Sequence, residues 1–409
     1  MLTSVELFAG AGGLGLGLSL AGFRHLAVIE RDRTACETIR RNQAAGHEHV
    51  KDWPLIQIDA RDFDYESLRD RVDVVAGGPP CQPFSMGGKH RGHSDGRDMF
   101  PAMADAIRRL RPRAFIVENV KGLTRPTFTA YFDYIRVRLA FPEIARGADE
   151  AWQDHLFRIR QHDRFGERGL RYAVSFKVLN AADHGVPQKR ERVFLIGFRC
   201  EGGMTHHPAP IDAVFPAGTH SAAALLREKW VTGEYWDRHA IPRAERGDSP
   251  GGVHEQIARH EKESRSGMAA WLTVRDALRG LPDPERHPHA ARQFQNHEFQ
   301  PGVKFYAGHT GSAFDLPAKT LKAGDHGVPG GENALVRSDG TGRYFSVRES
   351  ARLQTFPDSY VISGSWSEAM RQLGNAVPVT LARAVANNLA NILGRAELAA
   401  SDQRSHARA

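Results

Sequence analysis

Cys81 is the residue whose type and position in the sequence most directly suggest chemistry. It follows an apolar run and the collar Gly77-Gly78-Pro79-Pro80, so it lies just beyond the carboxyl end of a predicted parallel strand. A free cysteine is most often a small buried hydrophobe, but two prolines that pre-set the backbone favour display of a side chain over filling of a core. Positive charges at Lys89, Arg91 and Arg97 would stabilise its thiolate, which is the nucleophilic form.

A carboxylate and two arginines are placed to act with this cysteine. The predicted strand 114–120 carries Glu118 at its carboxyl end, which is the edge of the sheet that Cys81 would occupy. Arg190 and Arg192 are two residues apart in a predicted extended strand, so their side chains would share one face. The simpler interpretations are a helix cap or surface acid for the carboxylate and a solvated face for the arginines.

A glycine-rich turn follows the first predicted strand. Gly10, Gly12 and Gly15 have the spacing of a dinucleotide-binding fingerprint, in which missing side chains let a ligand approach the backbone at a helix N-terminus. Glu30 ends the next strand about 20 residues later, where a carboxylate can bind ribose hydroxyls. The spacing alone fits a nicotinamide enzyme as well as an S-adenosylmethionine enzyme, and a tight turn is the simplest explanation.

The elements that must position these residues alternate between strand and helix. We predict strands at 3–8, 26–29, 55–59, 73–76 and 114–120, a hairpin from 172–178 and 192–197, and helices ending at 21 and spanning 33–42, 99–110 and 127–140. An irregular insertion is expected at 141–169, and the pattern dissolves over 199–344 apart from a helix at 271–278. Ser346 and Glu349 have the spacing of a capping box before an amphipathic helix.

The composition of the 409-residue chain is that of a globular protein of about two domains. Its formal charge of +7 suits a nucleic-acid partner without establishing one. The three cysteines are too scattered for a disulfide framework or a zinc site, so we expect no metal and a reducing, cytoplasmic location. Neither a signal peptide nor a membrane-spanning run is predicted.

The segment Pro79-Pro80-Cys81-Gln82-Pro83-Phe84-Ser85 resembles the nucleophile motif of the DNA (cytosine-5)-methyltransferases. The other motifs of that family follow in order, at residues 8–13, Glu118-Asn119-Val120, Gln188-x-Arg190-x-Arg192, 346–357 and 374–379. These matches cover most of residues 1–198 and 346–380, and their joint order is far more specific than any single motif.

The resemblance implies an α/β fold, a Rossmann-like S-adenosylmethionine-dependent methyltransferase sheet with helices on both faces. A smaller, mostly β or irregular target-recognition domain would accompany it. Residues 1–198 and 366–395 would form the catalytic, cofactor-binding domain, and residues 199–365 the target-recognition domain. A last helix, 379–392, would return to the catalytic domain, and 396–409 would be a disordered tail.

The resemblance also implies S-adenosyl-L-methionine as the cofactor. Phe8 would lie against the adenine, Glu30 would bind the ribose, and Asp59 would accept a hydrogen bond from the adenine amino group, with Asp62 as a close competitor. The full cofactor-binding set is Phe8, Gly10, Gly12, Gly13, Glu30, Asp59, Pro80 and Asn375.

Double-stranded DNA is the implied partner. The predicted DNA-binding residues are Gln82, Ser85, Lys89, Arg91, Arg97, Thr320 and Leu321. The stretch 85–97 would be either a lid that closes over the substrate or an exposed surface segment. We expect a monomer at the nucleoid, with a separately encoded restriction endonuclease as a candidate partner.

The implied reaction is methyl transfer to carbon 5 of a cytosine flipped out of a specific duplex sequence. The Cys81 thiolate would add to carbon 6, and Glu118 would act at ring nitrogen 3. Arg192 would hold the carbonyl oxygen at position 2, and Arg190 would hold backbone phosphate or the cysteine loop.

Three other functions fit parts of the pattern. An RNA cytosine-5 methyltransferase would share the first domain, although the long region 199–344 argues for duplex reading. A nicotinamide-dependent oxidoreductase would explain the glycine-rich turn but would leave Cys81, Glu118 and Arg192 without roles. A catalytically silent DNA-binding module would leave the intact nucleophile unexplained.

Overall fold

The computed structural model describes residues 1–80, 98–164, 169–200, 209–262, 267–306, 309–323 and 331–406. Contacts divide the chain into two units. Unit 1 comprises residues 1–179, 191–216 and 382–409, and unit 2 comprises residues 180–190 and 217–381. This division differs from the expected domain boundaries because 180–190 and 366–381 belong to unit 2, whereas 199–216 belongs to unit 1.

Seven strands form one sheet in the described residues, in the order β3-β2-β1-β4-β5-β7-β6. They are β1 Thr3–Leu7, β2 Arg24–Glu30, β3 Leu55–Gln57, β4 Val74–Gly77, β5 Ala114–Val120, β6 Tyr172–Asn180 and β7 Glu191–Arg199. The first five are parallel, and β7 runs antiparallel to β5. The strand order reverses between the neighbours β1 and β4, and ligands bind at such switch points. The predicted Rossmann-like sheet is confirmed.

Helices connect these strands in unit 1. They are α1 Gly13–Leu20, α2 Arg33–Ala44, α3 Phe100–Leu110, α4 Thr129–Ala140, α5 Trp152–Arg164 and α6 Ile211–Val214. The prediction of an irregular insertion at 141–169 is wrong where α5 forms. Trp152 and Ile159 of α5 are buried, and Leu156 packs against the same core. These three residues follow the i, i+4, i+7 spacing of a helix face, but polar neighbours dilute the signal.

Alternate residues of β1 face opposite sides of the sheet. Val5 and Leu7 are fully buried in an apolar core that also contains Met103 of α3. On the other face, a Cβ atom added to Gly15 of α1 would come within 2.2 Å of the Glu6 carboxylate. Helices therefore cover both faces of the sheet, as the resemblance implies.

Unit 2 combines small sheets with short helices. Its elements are β8 His220–Ser221, α7 Ala222–Arg227, the π-helix Glu228–Thr232, α8 Glu234–Arg238, α9 Val253–Lys262, β9 Ala269–Ala270, α10 Val274–Leu278, α11 Pro288–Ala291, β10 Ser312–Ala313, β11 Ala334–Val336, β12 Gly342–Tyr344, α12 Val347–Leu353 and α13 Trp366–Asn375. The capping box of Ser346 and Glu349 is confirmed at the start of α12. The helices between 222 and 262 were not predicted, because none exceeds ten residues and their apolar faces are narrow.

The last helix, α14 Val379–His406, is longer than the predicted helix 379–392. It extends through most of the segment for which a disordered tail is expected. Residues 395–400 are Arg-Ala-Glu-Leu-Ala-Ala, which are strong helix formers without a glycine or proline to end the helix. Within the described ranges, no helix is both long and apolar enough to cross a membrane.

Candidate active site

Glu118 and Arg192 form a buried ion pair at the carboxyl end of β5. Nε of Arg192 lies 2.9 Å from Oε1 of Glu118, and the two side chains are 11% and 8% exposed, respectively. The antiparallel register of β5 and β7 creates this contact, because it places Val120 opposite Arg192. Burial lowers the pKa of Arg192, and the charge of Glu118 opposes that effect. The pair therefore presents a guanidinium group and a carboxylate together in a largely dehydrated position.

The backbone that leads to Cys81 lies beside this pair. Nδ2 of Asn119 donates a hydrogen bond to the carbonyl oxygen of Pro79 at 2.9 Å. A Cβ atom on Gly78 would come within 3.0 Å of Oε2 of Glu118, so glycine allows the chain to pass close to the carboxylate. The structure thus brings the start of the predicted nucleophile motif to Glu118. Cys81 lies outside the described residues, and so do five predicted DNA contacts: Gln82, Ser85, Lys89, Arg91 and Arg97.

The glycine-rich loop after β1 adopts left-handed backbone conformations. Phe8, Gly10 and Gly12 have φ values of 58°, 55° and 84°, respectively. A Cβ atom on Gly10 would meet no described atom within 4 Å, so there is open space above this residue. Gly12 caps α1 without a side chain, and α1 begins at Gly13. The first turn of α1 therefore has no side-chain cap on its amide groups, which is also a feature of phosphate- and nucleotide-binding loops.

Glu30, at the end of β2, forms the rim of this loop. Its Oε2 accepts a hydrogen bond from the amide of Gly10 at 2.8 Å. Its Oε1 accepts from the amides of Arg31 and Asp32 at 2.8 and 2.7 Å. Since each carboxylate oxygen has two lone pairs, Oε2 retains the capacity to accept a hydroxyl group. The structure therefore holds the predicted ribose-binding residue rigidly at the mouth of the glycine-rich loop.

Asp59, the predicted acceptor of the adenine amino group, is engaged by arginines. Arg61 donates to it from N, Nε and Nη2 at 3.0, 2.9 and 2.8 Å, and Arg31 donates from Nη1 at 3.1 Å. These contacts, Arg61 first, hold the pKa of Asp59 well below its usual range. Four donors fill the lone pairs of a carboxylate, so adenine can bind here only if an arginine moves away. Both arginine side chains are more than half exposed, at 65% for Arg31 and 57% for Arg61, so moving one of them away costs little free energy.

Arg190 is not placed to contact a DNA phosphate, which was one of its two predicted roles; the cysteine loop, its other predicted partner, lies outside the described residues. Arg190 is fully buried, with 0% of its surface exposed. Its guanidinium group donates to the carbonyl oxygens of Leu321, Gly374 and Ala376. The strand β7 starts only at Glu191, so Arg190 precedes it and its side chain need not share a face with that of Arg192.

Thr320 and Leu321, the predicted Thr-Leu pair of unit 2, differ in their surroundings. Leu321 is 1% exposed and packs in an apolar cluster with Val274 and Phe345, so its side chain cannot contact DNA. The Thr320 hydroxyl donates to the carbonyl oxygen of Lys189 at 2.7 Å. Thr320 is partly exposed, and it keeps the assignment as a candidate DNA contact.

Glu6, which was not among the predicted site residues, lies directly beneath the glycine-rich loop. It is 1% exposed, and burial raises its pKa to about 8, with Glu30 acting in the same direction and the Gly15 amide against it. Neighbouring His25 contacts the carbonyl oxygen of Gly15 and the hydroxyl of Ser4 at 3.2 and 3.1 Å, and burial lowers its pKa to about 4. At neutral pH this layer therefore contains a protonated acid and a neutral imidazole. The sequence feature that could have identified Glu6 is an acidic residue in the middle of the apolar strand β1.

We expect the stability of the protein to fall with pH because of Glu6. Below pH 4.5, the pKa of Glu6 in the unfolded chain, the folded and unfolded states both hold the proton. Between pH 4.5 and about pH 8, only the folded state holds it. The free energy of unfolding should therefore fall by up to about 3 kcal/mol between pH 6 and pH 8 from this group. Urea unfolding of the wild type and of Glu6→Gln at both pH values measures the difference.

Glu48→Gln is the matched control, because Glu48 is exposed. It should keep the wild-type pH dependence, whereas Glu6→Gln should lose most of it. Parallel curves for the wild type and Glu6→Gln would show that Glu6 is ionised in the folded protein.

The fold and these side chains define an α/β enzyme with a glycine-rich loop after β1 and a buried carboxylate–arginine pair at the end of β5. The model of the family described as C-5 cytosine-specific DNA methylase matches residues 2–140 and 160–391 of the chain. The chain belongs to this family, and it is a DNA (cytosine-5)-methyltransferase.

Individual relatives agree with this family. The Type II methyltransferase M.PspPI of Psychrobacter sp. (strain TA137) is 30% identical over 400 residues, which are 96% of this chain and 80% of the relative. M.NgoMIV of Neisseria gonorrhoeae is 29% identical, over 96% of this chain and 98% of its own length. The crystal structure of the S. pombe Dnmt2 methyltransferase has a TM-score of 0.54 at 17% identity, covering 97% of this chain and 99% of that chain. At that identity, the last similarity shows the fold alone.

Proposed function

We propose that the chain transfers a methyl group from S-adenosylmethionine to carbon 5 of a cytosine flipped out of duplex DNA, through a covalent adduct of Cys81. The observation that carries the proposal is the buried pair of Glu118 and Arg192 at 2.9 Å, next to the backbone of Pro79. The carboxyl group of Glu118, when protonated, can donate to ring nitrogen 3, and the guanidinium group of Arg192 can donate to carbonyl oxygen 2 of the same cytosine.

The glycine-rich loop fits an adenosyl cofactor. Open space above Gly10, uncapped amides at the start of α1 and the remaining acceptor capacity of Glu30 are what a ribose and its substituents require. S-adenosylmethionine, when bound, supplies an electrophilic methyl group on a positively charged sulfur. The loop leaves β1 next to β4, which leads to Cys81, so cofactor and nucleophile would meet at the switch point of the sheet.

The residues of the chain make carbon 5 reactive. The thiolate of Cys81 forms a bond to carbon 6, and ring nitrogen 3 takes a proton from Glu118. Arg192 holds the oxygen at position 2, where negative charge develops. Carbon 5 then uses the electron pair of the resulting enamine to form a bond to the methyl group. The bond between this methyl group and the sulfur of the cofactor breaks, and its electron pair stays on the sulfur.

The adduct then resolves to the product. A base removes the proton from carbon 5, the bond between Cys81 and carbon 6 breaks, and the proton on ring nitrogen 3 returns to Glu118. Since both faces of a stacked base are covered, the cytosine must leave the duplex first, at a cost of a few kcal/mol. Contacts from unit 2 and from the stretch 85–97 would offset this cost.

Base-resolution sequencing of 5-methylcytosine tests the proposal. Plasmid DNA is taken from a host that lacks its own cytosine methylation and expresses either the wild type or Cys81→Ser. Methylation at one recurring sequence, present only with the wild type, would support both the reaction and the duplex specificity. If the plasmid stays unmethylated and a parallel assay shows methyl transfer to RNA, the substrate is RNA and the proposal of a DNA substrate is wrong.

The names of the Type II relatives suggest a setting for the enzyme. The chain would protect host DNA from a separately encoded restriction endonuclease, as a monomer in the prokaryotic cytoplasm. A titration that showed tight NAD binding and no S-adenosylmethionine binding would instead favour the oxidoreductase alternative.

We expect Glu30→Ala to weaken S-adenosylmethionine binding by about 10- to 100-fold, because one charge-assisted hydrogen bond to the ribose is lost. Isothermal titration calorimetry gives the dissociation constant. Glu30→Gln is the control, since its amide oxygen can still accept the Gly10 amide hydrogen bond, and it should bind with intermediate affinity. An unchanged dissociation constant in Glu30→Ala would show that Glu30 does not bind the ribose.

A further inference from the structure

The carboxylate of Asp59 is held by a guanidinium fork from Arg61. Nε of Arg61 donates to Oδ1 at 2.9 Å, and Nη2 of the same group donates to Oδ2 at 2.8 Å. A bidentate pair of this kind is stronger and more specific than a single hydrogen bond. Nη1 of Arg31 adds a further contact, to Oδ2 at 3.1 Å. We call these three residues the Asp59 bridge, and all of them belong to unit 1.

Arg31 connects the two carboxylates that are assigned to the adenosyl group. Its backbone amide donates to Oε1 of Glu30 at 2.8 Å, while its guanidinium group contacts Asp59. The strands β2 and β3 are parallel, and Glu30 lies opposite Gln57, which is two residues before Asp59. The Asp59 bridge therefore lies at the same edge of the sheet as the predicted ribose-binding residue.

The Asp59 bridge can open without disturbing the core. Both arginine side chains are more than half exposed, whereas that of Asp59 is only 14% exposed. The carboxylate also accepts a hydrogen bond from the backbone amide of Arg61 at 3.0 Å, and any residue except proline at position 61 would retain this contact. Loss of the guanidinium groups would thus leave Asp59 in place, with acceptor sites set free.

The arginines also keep Asp59 ionised. Hydrogen bonds from Arg61 are the main reason that the pKa of this carboxyl group lies well below its usual range. An ionised carboxylate only accepts hydrogen bonds, so a guanidinium group and an amino group compete for the same lone pairs.

We propose that Arg31 and Arg61 form a built-in competitor of the cofactor for Asp59. In the free protein they fill the acceptor sites of Asp59, and the adenine amino group displaces a guanidinium group when the cofactor binds. This inference rests on the proposed function. Because S-adenosylmethionine and its product S-adenosylhomocysteine share the adenosine group, the Asp59 bridge weakens the binding of both by the same factor. Weaker binding of the product favours its release after methyl transfer.

The first test removes one guanidinium group. Arg61→Ala should lower the dissociation constants of S-adenosylmethionine and S-adenosylhomocysteine alike, by about two- to fivefold, as expected for the loss of an exposed ion pair. Arg31→Ala should have a smaller effect in the same direction, because Arg31 makes one of the three guanidinium contacts. Isothermal titration calorimetry measures these constants.

The outcomes of this titration separate the inference from the proposed function. An unchanged or raised dissociation constant in Arg61→Ala overturns the inference, and the proposed function stands. A wild type that binds neither compound overturns both.

A ligand without the amino group separates competition from a general effect of charge. S-inosylhomocysteine carries an oxygen atom where adenine carries its amino group, so it cannot donate a hydrogen bond to a freed Asp59. Arg61→Ala should not lower the dissociation constant of this compound. Equal tightening of S-inosylhomocysteine and S-adenosylhomocysteine would overturn the inference.

Arg33 offers a matched control on the chain. It lies two residues after Arg31, and its Nε pairs with Glu37 at 2.9 Å rather than with Asp59. Arg33→Ala removes the same charge from the same segment, and it should leave both dissociation constants unchanged. A gain in affinity as large as that of Arg61→Ala would assign the effect to charge alone and contradict the inference.

A double variant asks whether Arg61 acts through Asp59. In an Asp59→Ala background, Arg61→Ala should change the dissociation constant of S-adenosylhomocysteine little, because no acceptor is left to compete for. The full gain in affinity without Asp59 would show that Arg61 acts elsewhere and would overturn the inference.

Discussion

Replacement of Cys81 by serine should abolish methyl transfer to DNA, with a loss of at least about 10⁴-fold in turnover. A serine hydroxyl is not ionised near neutral pH and lacks the nucleophilicity of a thiolate, so no adduct can form at carbon 6. The dissociation constant for S-adenosylmethionine should stay within a few-fold of the wild-type value, because the sulfur acts only after binding. Transfer of a labelled methyl group and calorimetry measure the two quantities.

A duplex with 5-fluorocytosine at the target position makes the adduct visible. Fluorine at carbon 5 blocks the final deprotonation, so the wild-type protein should stay attached to the DNA on a denaturing gel. Cys81→Ser should give no attached protein. Cys200→Ser should behave as the wild type, because Cys200 is a half-buried cysteine that directly follows β7. Attachment of DNA to Cys81→Ser would identify a different nucleophile.

Removal of Arg192 should damage both catalysis and stability. Arg192→Met removes the cation that is paired with the buried carboxylate of Glu118, and the loss of one member of a buried ion pair typically costs about 3 to 5 kcal/mol. It also removes the donor that we propose for the cytosine oxygen, so we expect turnover to fall by about 10²- to 10³-fold. Urea unfolding and single-turnover methylation measure the two effects separately.

Two further variants separate the two effects. Glu118→Gln with Arg192→Met removes both charges, so it should recover much of the stability but none of the turnover. Lys121→Met breaks the neighbouring pair with Glu191, whose Nζ–Oε1 distance is 2.8 Å but whose side chains are about half exposed, at 55% and 48%. That exposed pair should contribute less than about 1 kcal/mol. Recovery of turnover in the double variant would show that Arg192 is only structural.

Local chemistry made much of the fold predictable. The apolar, β-branched run of β5 predicted its bounds, Ala114–Val120, because a buried parallel strand needs an apolar side chain on both faces. Ser346 and Glu349 predicted the start of α12 because a capping box involves residues three apart. The meeting of Glu118 with the chain that leads to Cys81 was also predictable, since both lie near the carboxyl ends of neighbouring parallel strands.

The direction of a side chain outside a regular element was not predictable. Arg190 and Arg192 share a motif, but β7 begins between them, and alternation holds only within a strand. Asp59 is occupied by Arg31 and Arg61, of which Arg31 is distant in sequence. Leu321 was assigned to DNA on motif similarity, although an isolated leucine is more often part of a core.

The buried guanidinium group of Arg190 binds three main-chain carbonyl oxygens, those of Leu321, Gly374 and Ala376. Every amino acid supplies the same main-chain carbonyl oxygen, so these hydrogen bonds impose no requirement on the side chains of Leu321 or Ala376. Neighbouring positions such as Thr320 can therefore be substituted, in evolution or in engineered chimeras, while the bond to Arg190 persists. Gly374 is the exception, because any side chain there would collide with Ala323. Side chains around this anchor can thus diversify without loss of the hydrogen bonds that hold it.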